Sequence, residues 1–228
     1  MSRAPRLFAR VLSRLGVSRR YRDKMRRGWQ ENWSDPTRVR PWMNRGISPE
    51  IVEAANGGWF PAGGSALDIG CGEGEVAAWM AEQGFPAVGV DIAPAAVARA
   101  QARFNGASGQ LEFFAADVCN DPLPDRQYRI LIDRGCFHNI QPNDYADFLG
   151  NLLRVSAPDA RLLLLCKAFR HGIPQGDLGD RRRVSTMVEE GFDRGFRIMR
   201  SADTYLDPFG GRDPDKAMGG MAFWMERR

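Results

Sequence analysis

The chain has 228 residues, a length typical of one domain with short extensions, and no apolar run approaches the roughly 18 residues that a membrane span needs. Its four cysteines form no C-x-x-C pair, so we expect reduced thiols, no metal site and a cytoplasmic location. Residues 1–28 hold ten Lys and Arg and one acid, which is a net charge of +9. Because the whole chain has a net charge of +4, residues 29–228 carry a net −5. A mildly acidic body of this kind does not indicate a nucleic-acid partner.

The basic N-terminal segment also carries an apolar stripe. Apolar residues recur at helical spacing, at Leu7, Phe8, Val11, Leu12 and Leu15. Because arginines occupy another face, the pattern predicts an amphipathic helix, and one hypothesis is that residues 1–24 contact an anionic membrane surface peripherally. The alternatives are a partner protein, a solvated tail, or a helix that packs on the domain through its stripe.

From residue 61 onward, the chain alternates predicted strands with predicted helices. We predict strands over residues 65–69, 87–92, 111–116, 129–133, 161–167, 196–199 and 221–225, and helices over 73–83, 94–104 and from Pro142 onward. This alternation is typical of a doubly wound, Rossmann-like α/β sheet, here seven-stranded and mostly parallel. No helix separates the last two strands, so we expect the last strand to be antiparallel. Thr186 and Glu189 predict a capping box for a short helix that ends at Gly191.

The first predicted strand runs into a glycine-rich turn, DIGCGEG over residues 68–74, and the second ends on Asp91. A dinucleotide-binding fingerprint needs its third glycine at position 75, whereas here it comes one residue early, at Gly74. Asp68 would repel a pyrophosphate, but it suits a cation such as the amino group or sulfonium of S-adenosylmethionine. Asp91 can accept hydrogen bonds from both ribose hydroxyls. The turn therefore predicts a site for S-adenosylmethionine, with S-adenosylhomocysteine as the product.

Four acids, Asp68, Asp91, Asp117 and Asp133, lie at the ends of successive predicted strands. Because the carboxyl ends of parallel strands meet at one edge of a sheet, we expect these acids to surround one ligand. The alternative for each of them is a helix cap or a turn residue. The expected cofactor-binding residues of this region are Asp68, Gly70, Cys71, Gly72, Asp91, Ile92, Ala116, Asp117, Val118 and Asp133.

Methyl transfer from a sulfonium is an in-line displacement, so the protein has to hold donor and acceptor in line and exclude water. We expect residues 133–138 to form the floor near the transferring methyl group, with Asp133, Arg134 and His138 as candidate catalytic residues. His138 is either a general base or a hydrogen-bonded cap of the next helix. Arg134 either faces the acceptor or pairs with a nearby acid.

Three stretches of the chain resemble known methyltransferases. The run over 68–74, with the acid after the second strand, resembles class I S-adenosylmethionine-dependent methyltransferases. The run DRGCFHNIQP over 133–142 is similar to the Asp-Arg-Gly-Ala and Ile-Asn-Pro motifs of the thiopurine methyltransferase family. WQENW over 29–33 resembles the Trp-Gln-x-x-Trp motif of the same family.

This resemblance implies that Trp29 and Trp33 cover the cofactor, that Arg134 faces the acceptor, and that residues 169–183 close over the substrate. Together with the charge distribution, it divides the chain into a basic tail over 1–28, a lid segment over 29–60 and an S-adenosylmethionine-binding domain over 61–228. It also implies a small-molecule acceptor, because the likeness extends to thiol and halide methyltransferases.

Three functions follow as hypotheses. The first is an S-methyltransferase of a small thiol or another soft nucleophile. The second is an O- or N-methyltransferase of a small metabolite, in which His138 acts as a base. The third is a cofactor-binding regulator without catalytic activity. The sequence leaves the identity of the acceptor and the oligomeric state open.

Overall fold

The structure is a computed structural model that describes residues 17–38, 40, 43, 46–105, 110–167, 178–206 and 219–228. One seven-stranded sheet has the order β3-β2-β1-β4-β5-β7-β6. Its strands are β1 (Ala66–Ile69), β2 (Ala87–Asp91), β3 (Leu111–Ala115), β4 (Tyr128–Arg134), β5 (Ser156–Lys167), β6 (Phe196–Tyr205) and β7 (Gly219–Arg227). Strands β1 to β5 pair in parallel, and β7 runs antiparallel to both β5 and β6. The predicted fold class is confirmed, including the antiparallel last strand.

The described helices lie on both faces of this sheet or across its carboxyl edge. They are α1 (Val17–Ser34), α2 (Pro49–Asn56), α3 (Glu75–Glu82), α4 (Pro94–Arg103), α5 (Tyr145–Val155) and α6 (Leu178–Phe192). Two short 3₁₀ turns, Phe137–Asn139 and Pro142–Asp144, separate β4 from α5. Within the described ranges, no helix has the length and the apolar character that crossing a bilayer requires.

The central strands are buried on both faces, which is why they read as continuous apolar runs. On one face, α5 and α6 pack through a cluster of aromatic rings in which Phe137 contacts both Phe148 and Phe192. A Cβ atom at Gly191 would lie 2.4 Å from the Phe137 ring, so a glycine is what lets α6 approach this closely. On the other face, α2, α3 and α4 pack against the sheet.

Some boundaries differ from the sequence predictions. Strand β5 begins at Ser156 rather than at residue 161, because Ser156 pairs with Tyr128 across an irregularity in the ladder. Helix α6 begins at Leu178, so Thr186 lies inside the helix and the predicted capping box is wrong; the buried stripe of Val184, Val188 and Phe192 extends the helical period upstream.

Other predicted segments fall outside the described residues. These are the apolar stripe over residues 7–15 and much of the predicted closing segment over 169–183. The predicted boundary between the tail and the lid segment, at residues 28 and 29, falls within the continuous helix α1.

Candidate active site

The carboxyl ends of β1, β2 and β4 open into one cavity of about 410 Å³, and α1 contributes a wall of it. This volume falls within the range of about 300–1,000 Å³ that is usual for small-molecule sites. The predicted site residues that line the cavity are Trp29, Trp33, Asp68, Gly70, Cys71, Gly72, Asp91, Ile92, Ala116, Asp117, Val118, Arg134 and His138. Asp133 does not line it.

The glycine-rich turn lets the chain pass very close to its neighbours. Gly70 and Gly72 have φ angles of 71° and 54°, in the left-handed region that favours glycine. A Cβ atom at Gly70 would lie 2.7 Å from the Cβ atom of Cys136, and one at Gly72 would lie 3.2 Å from the Trp33 ring. The turn is tied to β2, because the N–H groups of Gly70 and Cys71 both donate to the carbonyl of Val90, at 2.8 and 2.9 Å. Side chains are therefore excluded at positions 70 and 72, where the backbone itself faces the cavity.

Asp91 joins the glycine-rich turn to the start of α4. Its Oδ2 atom accepts a hydrogen bond from the N–H of Gly72 at 3.0 Å, and its Oδ1 atom accepts one from the N–H of Ala93 at 2.9 Å. Burial raises the pKa of this carboxyl above its usual value. Each carboxylate oxygen can accept more than one hydrogen bond, so a hydroxyl group in the cavity still finds an acceptor here.

Asp68 lies deeper at the end of β1. Its Oδ2 atom accepts a hydrogen bond from the N–H of Ala77 at 3.2 Å. Burial raises the pKa of Asp68 to about 7, against the lowering effects of that hydrogen bond and of the nearby Arg134 guanidinium. A cation bound in the cavity would favour the ionised form, so this carboxyl is suited to a cationic ligand.

Asp117 lies beyond the end of β3, beside Ala116 and Val118 in the cavity wall. Its Oδ1 atom accepts a hydrogen bond from the N–H of Cys119 at 2.9 Å, and its Oδ2 atom accepts one from the side-chain amide of Asn120 at 2.8 Å. The carboxylate is thus held in a fixed orientation by its own turn.

Asp133 differs from the other three acids. It is fully buried, and its carboxylate accepts hydrogen bonds from the N–H groups of Cys136 and Phe137, at 2.8 and 2.9 Å. Burial raises the pKa of Asp133 to about 7. The side chain turns back under its own loop and holds the N–H groups of Cys136 and Phe137 in place, so Asp133 positions the loop that follows β4. This arrangement departs from the prediction that Asp133 touches the cofactor or the acceptor.

Arg134 lines the cavity and also ties two segments together. Its Nε atom donates to the hydroxyl of Ser48 at 3.0 Å, and one terminal nitrogen donates to the carbonyl of Leu206 at 2.9 Å. The guanidinium therefore ties Ser48 and Leu206 together at the wall of the cavity.

His138 lines the cavity next to the end of β5. Its Nδ1 atom accepts a hydrogen bond from the backbone N–H of Lys167 at 3.2 Å. Burial lowers the pKa of His138 to about 4, and the neighbouring Lys167 charge adds to this effect. The imidazole is therefore neutral near pH 7, with the Nδ1 lone pair in use and the proton on Nε2. In this state His138 is a hydrogen-bond donor through Nε2 and a poor general base.

Helix α1 extends along one side of the cavity and is held at several points. Arg22 forms an ion pair with Asp144 at 2.6 Å, and the hydroxyl of Tyr21 accepts a hydrogen bond from Gln141 at 3.1 Å. Arg26 adds an ion pair with Asp121 at 2.8 Å.

The other end of α1 carries the two tryptophans of the WQENW run. Trp33 is 4% exposed and packs against Ala93 and Ala96, while the Arg40 guanidinium lies 4.7 Å from the centroid of its ring. Arg40 also donates to backbone carbonyls at the end of the helix, including that of Asp35 at 2.7 Å.

Sequence reasoning missed Gln30 as a site residue. Its Oε1 atom accepts a hydrogen bond from the N–H of Ala95 at 3.0 Å, which attaches α1 to the first turn of α4. The available signal was its place between Trp29 and Trp33 in the WQENW run. Arg40 was also missed, and no pattern in the sequence marks it.

The residues present fit S-adenosylmethionine. A carboxylate at the end of β2 suits ribose hydroxyls, and a buried carboxyl at the end of β1 suits a cationic group. The backbone of Gly70 and Gly72 lies between them. The aromatic wall from α1 suits a sulfonium or an adenine ring. The acids at the ends of β1 and β2 do not suit a pyrophosphate, because they would repel its negative charges.

Comparison with known proteins agrees with this geometry. Residues 66–159 match the family described as a methyltransferase domain. The chain is 32% identical over 127 residues to a 2-heptyl-1-hydroxyquinolin-4(1H)-one methyltransferase of Mycobacteroides abscessus. The aligned region covers 55% of each of the two chains. The chain is also 30% identical over 166 residues to methyltransferase GfsG of Streptomyces halstedii, covering 70% of this chain and 55% of that one. The chain thus spans about half the length of these curated relatives.

Solved structures share the fold across nearly the whole sheet. The N-methyltransferase NodS from Bradyrhizobium japonicum, in complex with S-adenosylhomocysteine, superposes with a TM-score of 0.62 at 13% identity, covering 88% of this chain and 97% of that one. A structure described as the conversion of a disulfide bond into a thioacetal group during echinomycin biosynthesis gives a TM-score of 0.71 at 18% identity, covering 89% and 92%. Residues 66–159 are therefore a methyltransferase domain of the class I, S-adenosylmethionine-dependent type, set within a seven-stranded sheet.

Proposed function

We propose that this protein transfers a methyl group from S-adenosylmethionine to a small-molecule acceptor, and that the acceptor atom is a thiol sulfur or another soft nucleophile. The supporting observation is the state of His138, the candidate general base that lines the cavity. Its Nδ1 lone pair is used by the N–H of Lys167, and its pKa is lowered to about 4.

In this proposal the cofactor end of the cavity is built from the ends of β1 to β3. Asp91 accepts from the ribose hydroxyls, Asp68 binds the cationic amino end, and Asp117 accepts from the adenine amine. When bound, the cofactor supplies an electrophilic methyl group on a positively charged sulfur. Trp29 and Trp33 cover this end and exclude water from it.

A thiol suits a site without a base. The reference pKa of a thiol is about 8.5, so a few per cent is already thiolate near pH 7. The positive charges of Arg134 and Lys167, which both line the cavity, increase that fraction. Asp68, whose pKa is about 7, is not free for this role because it faces the cationic part of the cofactor. The resemblance of residues 133–142 to thiopurine methyltransferases points the same way.

The second candidate is O- or N-methylation of a small metabolite. The names of the curated relatives favour it, since they refer to a hydroxyquinolone and to N-methylation of norajmaline. A neutral hydroxyl acceptor needs a base in the transition state. His138 could act as that base, but its Nδ1 atom would first have to give up the hydrogen bond from the N–H of Lys167.

The test is an acceptor panel of thiols, halides, phenols and amines, incubated with S-adenosylmethionine and analysed by mass spectrometry. The matched variant is His138→Asn, because the Asn side-chain oxygen can still accept from the N–H of Lys167 while the imidazole is lost. We expect methylated thiols, with His138→Asn retaining most of the wild-type rate.

A phenol or amine product that disappears in His138→Asn would favour the second candidate instead. Binding of S-adenosylhomocysteine without any product across the panel would support a regulator that lacks catalysis. Failure to bind S-adenosylhomocysteine would contradict the whole proposal.

A further inference from the structure

The cavity continues into an open groove of about 670 Å³. The two spaces share His138, Ile140 and Gln141, so a molecule that enters the cavity from this side has to pass along the groove. One wall of the groove is the segment between β4 and α5, and the other wall is α6.

Charge changes sign along the carboxyl edge of the sheet. In the order β3-β2-β1, the cavity residues at the strand ends are the carboxyls Asp117, Asp91 and Asp68. In the order β4-β5, the cavity residues at the last position of each strand are the cations Arg134 and Lys167. The acidic end matches the cationic cofactor, which leaves a positively charged end for the second substrate.

Helix α6 extends this positive charge into the groove. Arg182, Thr186 and Glu190 recur every four residues, and Arg183 and Met187 lie beside them, so one continuous face of α6 forms the wall. The opposite face, with Val184 and Val188, is buried in the core.

The three consecutive arginines at the start of α6 have different partners. Arg181 pairs with Asp203, and Arg183 pairs with Asp180 at 3.4 Å. For Arg182, the described part of the chain contains no ion pair or hydrogen bond of its side chain. Arg182 is therefore an exposed cation on the groove wall whose charge no described residue neutralises.

The remainder of the groove is largely apolar. Ile140, Pro142, Tyr145 and Met187 provide carbon surface along it. Glu190, the one acid in the lining, is eight residues from Arg182, which corresponds to about 12 Å along the helix axis. It lies near Tyr145, whose pKa burial raises to about 12. The cation and the acid thus occupy opposite ends of the wall.

We propose that this groove binds the body of the methyl acceptor, and that the acceptor is an apolar molecule with a carboxylate that Arg182 binds. This inference rests on the proposed function, because it assigns the groove to the second substrate of that reaction. The acceptor atom then enters the cavity past His138, the apolar body lies along Ile140 and Met187, and the anion is bound at the start of α6. Lys167 adds positive charge at the junction.

The test uses matched pairs of non-reactive probes that differ only in charge. Benzoate, 3-phenylpropanoate and octanoate are each compared with the corresponding amide, by calorimetry on the full chain saturated with S-adenosylhomocysteine. We expect at least one carboxylate to bind about tenfold or more tightly than its amide at low salt. This preference should weaken as salt is raised, because the site is open to solvent.

The variants are Arg182→Ala, Arg182→Lys and, as the matched control, Arg194→Ala. Arg194 is an exposed arginine just beyond the same helix and does not line the groove. We expect Arg182→Ala to reduce the carboxylate preference to less than threefold, Arg182→Lys to restore part of it, and Arg194→Ala to keep it. Thermal melting of each variant shows that the fold is retained.

Equal binding of carboxylates and amides, no binding of any carboxylate, or an equal loss in Arg194→Ala would overturn the assignment of the groove. The titrations are repeated without S-adenosylhomocysteine, so the groove is tested whether or not that compound binds. Loss of S-adenosylhomocysteine binding contradicts the proposed function, whereas normal binding of it without a carboxylate preference contradicts only the groove assignment.

Discussion

The side-chain oxygen of Gln30 accepts a hydrogen bond from the backbone N–H of Ala95 at 3.0 Å, and this contact attaches α1 to the first turn of α4. The same turn begins at Ala93, whose N–H donates to Asp91 at 2.9 Å. Helix α1 and the carboxylate of Asp91 are therefore both hydrogen-bonded to the start of α4. A change in the packing of α1 should alter the position of Asp91.

Replacing Gln30 by alanine should weaken cofactor binding. The N–H of Ala95 loses its partner, and a lost hydrogen bond of this kind costs about 1 kcal/mol, which is about fivefold in affinity. We expect the Kd for S-adenosylhomocysteine, measured by calorimetry, to rise by about that factor. Gln83→Ala is the matched control, because Gln83 is exposed at the end of α3. Unchanged affinity in Gln30→Ala would show that α1 does not contribute to the bound state.

Replacing Asp91 by alanine should have a larger effect. Asp91 links the turn at Gly72 to α4 and is assigned to the ribose hydroxyls, and each good charge-assisted hydrogen bond is worth roughly 1.5–3 kcal/mol. We expect the Kd for S-adenosylhomocysteine to rise at least tenfold. The exposed Asp193 provides the control, as Asp193→Ala should leave the affinity unchanged. Wild-type affinity in Asp91→Ala would remove Asp91 from the site.

The fold class and most of the strands and helices could be predicted from the sequence, because they depend on local patterns. Continuous apolar runs indicate buried parallel strands, and the spacing of glycines in 68–74 indicates a turn that the backbone itself has to line. The mostly parallel sheet followed from the alternation of elements, and the antiparallel last strand followed from the lack of a helix before it. The exact starts of β5 and α6 did not, because packing on distant elements decides them.

The orientation of individual side chains was beyond the sequence. Asp91 is the last residue of β2 and Asp133 is the residue before the last of β4, and each precedes a tight turn. One nevertheless faces the cavity, and the other turns back under its own loop. The state of His138 depends on the N–H of Lys167, which is 29 residues away in the chain. Such contacts arise only when the strands are assembled, so no local pattern reports them.

Cofactor binding should depend on pH through Asp68. Burial raises the pKa of Asp68 to about 7, so below pH 7 the carboxyl of the free protein is largely protonated. A cationic amino group favours the ionised form, so binding at pH 6 has to release a proton that binding at pH 8 does not. We expect the affinity for S-adenosylhomocysteine to rise from pH 6 to pH 8 and then to level off.

Calorimetry in buffers of different ionisation enthalpy measures this proton release directly. Asp68→Asn should abolish the release near pH 6, because the amide cannot titrate. Asp133 has a similarly raised pKa but does not line the cavity, so a release that persists in Asp68→Asn would assign the titration to another group such as Asp133.

Replacing Gly70 by alanine should reduce the free energy of unfolding by more than its backbone conformation alone explains. Gly70 and Gly84 have similar positive φ angles, 71° and 85°, but an added Cβ atom meets Cys136 at 2.7 Å in the first case and nothing within 4 Å in the second. Gly84→Ala should therefore cost only the left-handed strain, about 1–2 kcal/mol. Gly70→Ala adds crowding, for a total of roughly 3 kcal/mol or more. Urea unfolding measures both.

The double variant Gly70→Ala with Cys136→Gly separates the two contributions at one position. Removing the Cys136 side chain relieves the contact but not the strain, so the combined loss should be smaller than the sum of the two single losses. Additive losses, or equal losses in Gly70→Ala and Gly84→Ala, would mean that the turn can move away from residue 136. The cavity floor would then be less rigid than the hydrogen bonds from the turn to Val90 indicate.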